Sequence, residues 1–139
     1  MTDPRILTAT AGTGRHRVQG TAIATGAGAI IALTGGEQPH VGAVGLGVPR
    51  PSRRDPGRRS ATSSVLTLTG HHDDALAKPL AERAASRLDQ PVVVVVGLHV
   101  EDAGEADIAR LAEHAHDVAG RLVEQLLALP GRARRGKEA

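Results

Sequence analysis

The sequence contains no cysteine and no aromatic residue, and each absence excludes a class of function. Without cysteine the chain has no disulfide, no thiolate nucleophile and no cysteine-ligated zinc. Without Phe, Tyr or Trp, the core must be built from Val, Leu, Ile and Ala, and none of these four side chains offers a flat surface on which a ring could stack. Most proteins that bind single-stranded nucleic acid use such stacking, so we expect no nucleic-acid partner.

Long apolar segments are also missing. The longest apolar run, 92–98, is far too short to span a membrane. Residues 1–13 contain no apolar stretch long enough for a secretory signal. We therefore expect a soluble, cytoplasmic protein with no membrane partner.

The length and composition are those of one folded domain. The chain has 139 residues, of which 40% are hydrophobic, so a real core can form. We expect a weakly ordered N-terminus at 1–15, a single domain at 16–129 and a basic, disordered tail at 130–139. The arginines of that tail are more typical of a solvated terminus than of a nucleic-acid site.

The first half of the sequence is rich in β-forming residues. Four strands are predicted there, at about 16–25, 29–33, 40–48 and 61–69. The tight turn Gly26-Ala27-Gly28 joins the first two, and the short connections favour an antiparallel meander. Glycines at 42, 45 and 47 indicate the close approach of a ligand or of another backbone.

The second half has helical periodicity. One helix is predicted from Asp73 or Asp74 to Leu88, with Pro79 expected to kink it or delay its start. Apolar residues spaced three and four apart, from Ile108 to Leu129, predict a second helix. Between them, the β-branched run 92–96 predicts a central strand covered on both faces. The predicted fold class is α+β: a mainly antiparallel sheet with two helices packed on it.

Three histidines stand where predicted strands begin or end. His40 enters one strand, and His71 and His99 leave others, so the three side chains could meet in one pocket. Three histidines can bind zinc, but their spacing lacks the HExxH form that would make a metal site specific. A surface or hydrogen-bonded loop role stays open for each of them.

The segment between the third and fourth predicted strands carries five arginines, followed by a hydroxyl-rich run at 60–64. Such a loop is often only a mobile surface feature, but prolines on both sides of Arg50 stiffen its backbone. The hydroxyls belong either to a polar strand edge or to a phosphate site. The serines lack a GxSxG or SxxK context, and the glycines do not follow GxGxxG. These features indicate a binding site without evident catalytic chemistry.

Four segments together resemble the prenylated-flavin chaperone family, the LpdD-like proteins that are often described as the small subunit of gallate decarboxylase. The segments are GGEQPHVGAV at 35–44, VPRPS at 48–52, RRSATSSVLTLTGHHDD at 58–74 and VVVVVGLHVEDA at 92–103. The resemblance spans roughly 16–128, and the block at 60–74 is its most specific part.

That resemblance implies a homodimer that binds prenylated FMN as cargo, between the prenyl-flavin synthase and a UbiD-type decarboxylase. It implies a carrier rather than an enzyme, with neither catalytic residues nor a metal site. From side-chain chemistry, we assign Arg50, Ser52, Ser63 and Ser64 to the phosphate and ribityl chain. We assign His40, His71 and His99 to the modified ring, with Asp102 orienting His99.

Two alternatives remain. The chain is either a non-catalytic accessory protein that docks stably on a hydroxyarylic-acid decarboxylase or, more remotely, a metal-dependent hydrolase built on His40, His71 and His99. Copurification in fixed stoichiometry would favour the accessory role, and tightly bound stoichiometric zinc would favour the hydrolase. The carrier hypothesis is the one that the sequence favours.

Overall fold

The structure is a computed structural model that describes residues 5–68 and 73–131, and these ranges form six strands and two α-helices. The strands are β1 (Arg5–Ala11), β2 (Val18–Ala24), β3 (Ala29–Gly36), β4 (Ala43–Pro51), β5 (Arg59–Thr67) and β6 (Val92–His99). The helices are α1 (Asp74–Leu88) and α2 (Glu105–Leu127). The predicted α+β class, a mainly antiparallel sheet with two helices, is confirmed.

The six strands form one sheet in the order β1-β2-β3-β6-β4-β5. Within the described ranges, β3 and β6 pair in parallel and the other four pairings are antiparallel. The predicted meander is therefore wrong at one step, because β6 lies between β3 and β4. Its run of β-branched valines is the most apolar strand sequence in the chain, and a central position buries it best.

The N-terminal segment is more ordered than predicted. We expected weak order over residues 1–15, but β1 pairs with β2 along its whole length, from Arg5 opposite Ala24 to Ala11 opposite Val18. The order of an edge strand comes from its ladder with a neighbour, which local composition does not reveal. Of the predicted tail, residues 132–139 lie outside the described ranges.

Both described helices pack on the same face of the sheet, α1 over β4, β5 and β6, and α2 over β1, β2 and β3. We call this the helix-covered face and the opposite side the open face. On β6, Val92, Val94 and Val96 are buried under the helices, whereas Val93 and Val95 on the open face are only half-buried. The prediction that this strand is covered on both faces is therefore wrong.

Two glycines of β4 allow α1 to approach closely. A Cβ at Gly45 would lie 2.4 Å from the carbonyl oxygen of Ala77, and one at Gly47 would lie 2.2 Å from that of Ala81. The close approach predicted for these glycines is thus to another backbone, and it lets α1 lie flat on the sheet.

Pro79 does not delay α1, which begins at Asp74 as predicted. The proline is exposed in the second turn, where its missing N–H costs one bond to the carbonyl of Ala75. The helix ends at Leu88, also as predicted. Across the described residues, neither helix is long and apolar enough to cross a membrane.

Candidate functional site

His40 and His99 meet at the end of β6, beside the buried carboxylate of Asp73. The His40 and His99 ring centroids are 6.4 Å apart, with their planes at 78°. His40 Nδ1 donates to the carbonyl oxygen of Gln38 at 2.9 Å, and Nε2 lies 3.1 Å from Asp73 Oδ2. The predicted convergence of His40 and His99 is confirmed, while His71 lies outside the described residues.

Asp73 ties three elements together. It stands at the N-cap of α1, yet its side chain makes no capping bond to that helix. Instead Oδ1 accepts the backbone N–H of Leu98 at 3.1 Å, and Oδ2 faces His40. With 6% of its surface exposed, this carboxylate needs both partners to offset its desolvation. Sequence reasoning treated Asp73 only as a possible cap and missed this role.

The backbone before β4 holds His40 in place. A Cβ at Gly97 would lie 1.4 Å from the carbonyl oxygen of His40, so the loop 37–42 crosses directly over this glycine. The same loop is anchored by the N–H of Glu37, which donates to the carbonyl oxygen of His99 at 2.7 Å. Only glycine at position 97 allows the loop to lie this close to β6.

Carboxylates surround the exposed side of the histidine pair. His99 Nε2 lies 3.3 Å from Glu101 Oε2, and the N–H of Glu101 donates to Glu37 Oε1 at 3.0 Å. The prediction that Asp102 orients His99 is wrong, since Glu101 takes that place. Asp102 is exposed and adopts a left-handed backbone with φ 51°. The carboxylates Glu37 and Glu101 were not anticipated from the sequence.

A third histidine–carboxylate pair lies at the start of α2. His16 Nε2 is 2.7 Å from Asp107 Oδ1, and Arg15 lies 3.8 Å from Asp107 Oδ2. The hydrogen bond from His16, with that from the N–H of Gly104, holds the pKa of Asp107 below its ordinary value. This pair fastens the segment before β2 to α2 and adds to the charged rim around His99.

Arg50 lies at the opposite end of the sheet. Its Nε donates to Thr62 Oγ1 at 2.9 Å and its Nη1 to the carbonyl oxygen of Pro51 at 3.0 Å. Ala43 of β4 lies opposite Val96 of β6, and the two strands run in opposite directions. Arg50 is seven residues beyond Ala43 along β4, and His99 is three residues beyond Val96 along β6, toward the other end of the sheet. At about 3.3 Å per residue the separation is roughly 33 Å, longer than an extended flavin mononucleotide. Within one chain, the predicted residues do not form a single pocket.

The three predicted serines have different surroundings. Ser63 faces α1 and donates to Glu82, and this bond, with that from Lys78, holds the pKa of Glu82 below its ordinary value. Ser52 Oγ accepts the N–H groups of Arg54 and Asp55, each at 3.3 Å, and so closes a turn. Ser64 lies on the open face with Arg50.

A cavity of about 200 Å³ lies elsewhere, near the turn between β2 and β3 and the ends of both helices. Its walls include Leu88, Leu126 and Leu129, and it contains none of the predicted site residues. Pockets for small-molecule ligands usually measure about 300–1,000 Å³, so this cavity does not suit a flavin. Among the described residues, no group of three or more His, Asp or Glu is placed to hold a metal ion.

Comparisons with known proteins agree with the resemblance seen in the sequence. The family model described as the prenylated flavin chaperone LpdD-like domain matches residues 12–127. No curated protein matches the chain. A chain from the crystal structure of a novel chaperone complex for yeast 20S proteasome assembly superposes with a TM-score of 0.57 at 11% identity. The alignment covers 91% of this chain and 97% of that one, and at this identity it shows a shared fold alone.

Proposed function

Because this chain belongs to the prenylated flavin chaperone LpdD-like family, we propose that it binds prenylated FMN and delivers it to a UbiD-type decarboxylase. The family match over residues 12–127 carries this proposal, and it includes the cluster of His40, Asp73 and His99. The role is that of a carrier, which holds a product of the prenyl-flavin synthase until the decarboxylase takes it.

The histidine end suits the ring of this cargo. His40 is held by bonds at both ring nitrogens, so it presents a fixed edge and face to a ligand. In the described part of the chain the hydrogen bond of the His99 ring uses Nε2, which leaves Nδ1 for the ligand. Binding without aromatic stacking is moderate, as a carrier that must release its cargo requires.

The phosphate of the cargo does not suit the histidine end of the sheet. Glu37, Glu101 and Asp102 give the histidine end a negative rim that repels a phosphate. Arg50 offers a guanidinium with only two of its five N–H groups engaged in the bonds described above, and Ser64 lies on the same face. We assign the ring to His40 and His99. One chain cannot also place Arg50 on the phosphate of the same ligand, because the two ends of the sheet are roughly 33 Å apart.

The absence of Phe, Tyr and Trp allows a spectroscopic test of this proposal. The protein, mixed anaerobically with prenylated FMN and desalted, has almost no near-ultraviolet absorbance of its own, so a retained chromophore is the cargo. We expect near-stoichiometric flavin, reduced in His40→Ala and His99→Ala and unchanged in His116→Ala, an exposed helix residue. No binding by either desalting or equilibrium titration would refute the carrier proposal.

The open face favours a second candidate, an accessory protein that stays docked on the decarboxylase. Size-exclusion chromatography of the loaded protein with apo-decarboxylase distinguishes the two roles. A carrier elutes apart from the newly loaded enzyme, whereas a structural component elutes with it in a fixed ratio.

A further inference from the structure

The cavity near the turn between β2 and β3 lies on the helix-covered face, at the end of the sheet opposite the histidines. Ala29 of β3 lies opposite Val92 of β6, and Gly36 lies opposite His99. The strand length between these two levels separates the cavity from the histidine pair by roughly 23 Å. The cavity is therefore separate from the proposed cargo site.

Small residues at the strand ends create this space. Ala24 ends β2 and Ala29 begins β3, and both stand in rows that face the helices. The turn between them contributes Gly26 and Gly28 to the lining. Farther along β3, Ile31 fills the equivalent place beneath the helices and is fully buried. Because alanine and glycine are too short to do the same, the end of this layer stays open.

Three leucines form the apolar wall of the cavity. Leu88 of α1 and Leu126 of α2 are almost completely buried, and Leu129 is packed against the same core. The enclosed volume is about 200 Å³. An aliphatic cavity of about 150 Å³ holds a benzene molecule, so this space suits a compact apolar group of about six to eight carbon atoms.

Arg5 stands in a row of β1 whose other members are apolar. Leu7, Ala9 and Ala11 alternate with outward-facing residues and pack toward the core, so Arg5 also faces the helix side. Its side chain lines the cavity and is exposed, which places the charge at the mouth. Within 5–68 and 73–131 its guanidinium has no hydrogen bond and no ion pair. This charge is therefore available to an anionic group.

Gln90 fixes the shape of the cavity. The residue is 6% exposed, and its Nε2 donates to the carbonyl oxygen of Gly26 at 3.2 Å. This bond ties the turn between β2 and β3 to the segment that leads into β6. A wall that is already ordered lowers the entropic cost of binding a small ligand.

The charge at the cavity favours an anion. None of the described residues that line it is Asp or Glu. The ends of α1 and α2 carry partial negative charges, whose effect falls off within one turn. At the end of α2, the carbonyl oxygens of Glu124 and Leu126 also accept the N–H groups of Ala128 and Leu129. The full positive charge of Arg5 is thus the strongest electrostatic feature of the lining.

We infer that this cavity binds a small monocarboxylate, with an aliphatic body among the leucines and its carboxylate on Arg5. A guanidinium donates two parallel N–H bonds to a carboxylate, which fixes the orientation of the ligand as well as holding it. The inference does not rest on the proposed carrier function, because the cavity contains neither His40 nor His99.

Titration followed by nuclear magnetic resonance tests the site, with cyclohexanecarboxylate as the probe. We expect saturable shifts of the backbone amide resonances of Thr25, Gly28 and Leu129, and none at His40 and His99. Cyclohexanecarboxamide, which has the same body without the charge, should bind about tenfold more weakly or worse. Acetate, which has the charge without the body, should also bind more weakly.

Three results of this titration would overturn the inference. The first is the absence of saturable shifts at the cavity with millimolar probe. The second is equal affinity for the carboxylate and the carboxamide, which would remove the role of Arg5. The third is a set of shifts confined to the arginine-rich segment 50–59, which would show general attraction of anions to the basic end of the sheet.

Substitutions locate the binding. Arg5→Gln should weaken the probe by about tenfold or more, whereas Arg17→Gln, at an exposed arginine near the histidine end, is the matched control and should not. Ala24→Leu fills the cavity and should abolish binding with an unchanged circular dichroism spectrum. If that variant does not fold, Arg5→Gln decides, and an unaltered affinity in Arg5→Gln would overturn the inference.

Flavin retention separates this site from the cargo site. Arg5→Gln should retain prenylated FMN as the unaltered protein does, and saturating cyclohexanecarboxylate should not displace it. Probe binding by a protein that retains no flavin would reject the carrier proposal and leave the cavity site standing. Flavin retention without probe binding would reject the cavity site and leave the carrier proposal standing.

Discussion

The two faces of this sheet differ in what covers them, although they are made by alternate residues of the same strands. On the helix-covered face Ile31, Leu33 and Val94 are buried almost completely, and glycines let α1 lie directly on β4. On the open face, Ile30 and Leu46 keep part of their surface in water. The helix-covered face therefore supplies most of the stability of the fold, and the open face contributes less.

Neighbouring isoleucines on β3 give the sharpest test of this comparison. Ile31→Ala removes a fully buried side chain and should cost about 2–5 kcal/mol of unfolding free energy. Ile30→Ala removes the same atoms from the open face, where the side chain is 41% exposed, and should cost much less. Urea denaturation measures both. Equal losses would contradict the assignment of stability to one face.

Substitution of a glycine under α1 should give the next largest loss of stability. Gly47→Ala places a methyl group against the backbone of α1 and should cost about 1–3 kcal/mol, as overpacking does. Gly120→Ala is the control, because a Cβ there meets no atom within 4 Å and alanine favours a helix. The thermal midpoint should fall in the first variant and stay level or rise in the second.

Substitution of the buried carboxylate Asp73 should have a smaller effect on stability. Asp73→Asn keeps one acceptor for the N–H of Leu98 but loses the charged partner of His40, at a cost of about 1–2 kcal/mol. The His40 ring resonances should shift with the loss of stability. Asp102→Asn, an exposed residue whose left-handed backbone suits asparagine, should change neither observable.

The smallest expected effect is a change in how the stability of the protein depends on pH. The lowered pKa of Asp107 means that its stabilising contribution is present above its ordinary value of 3.8 and is lost as pH falls through its lower value in the folded state. Asp107→Asn should therefore be less stable than the unaltered protein above this window and equal to it below. Asp117→Asn, at an exposed ion pair with Arg121, is the control for removing a carboxylate from the surface of α2. A difference that persists at the acid limit would contradict the assignment.

Local sequence patterns predicted much of the fold and part of the site. The periodicity of α1 and the turn between β2 and β3 were read correctly because neighbouring residues determine them. The pairing of His40 with His99 followed from their places at strand ends. The separation of Arg50 from that pair did not, because it depends on strand direction and register.

Other features escaped prediction because distant residues decide them. β1 has order only through its ladder with β2, and β6 enters the sheet between strands that precede it in the chain. The roles of Asp73 and Glu101 likewise required packing between distant segments. No local pattern identifies which buried carboxylate will meet which backbone N–H.

Composition and local pattern were enough to predict an aliphatic core, the positions of two helices and the alternation along each strand, since these depend on residues close in the chain. Tertiary structure alone decided which strands are neighbours, which face the helices cover and which histidine meets which carboxylate. The physical reason is the distance along the sequence over which each kind of interaction acts. Backbone preferences act over a few residues, whereas strand pairing and burial couple residues such as His40 and Asp73 that the chain keeps far apart.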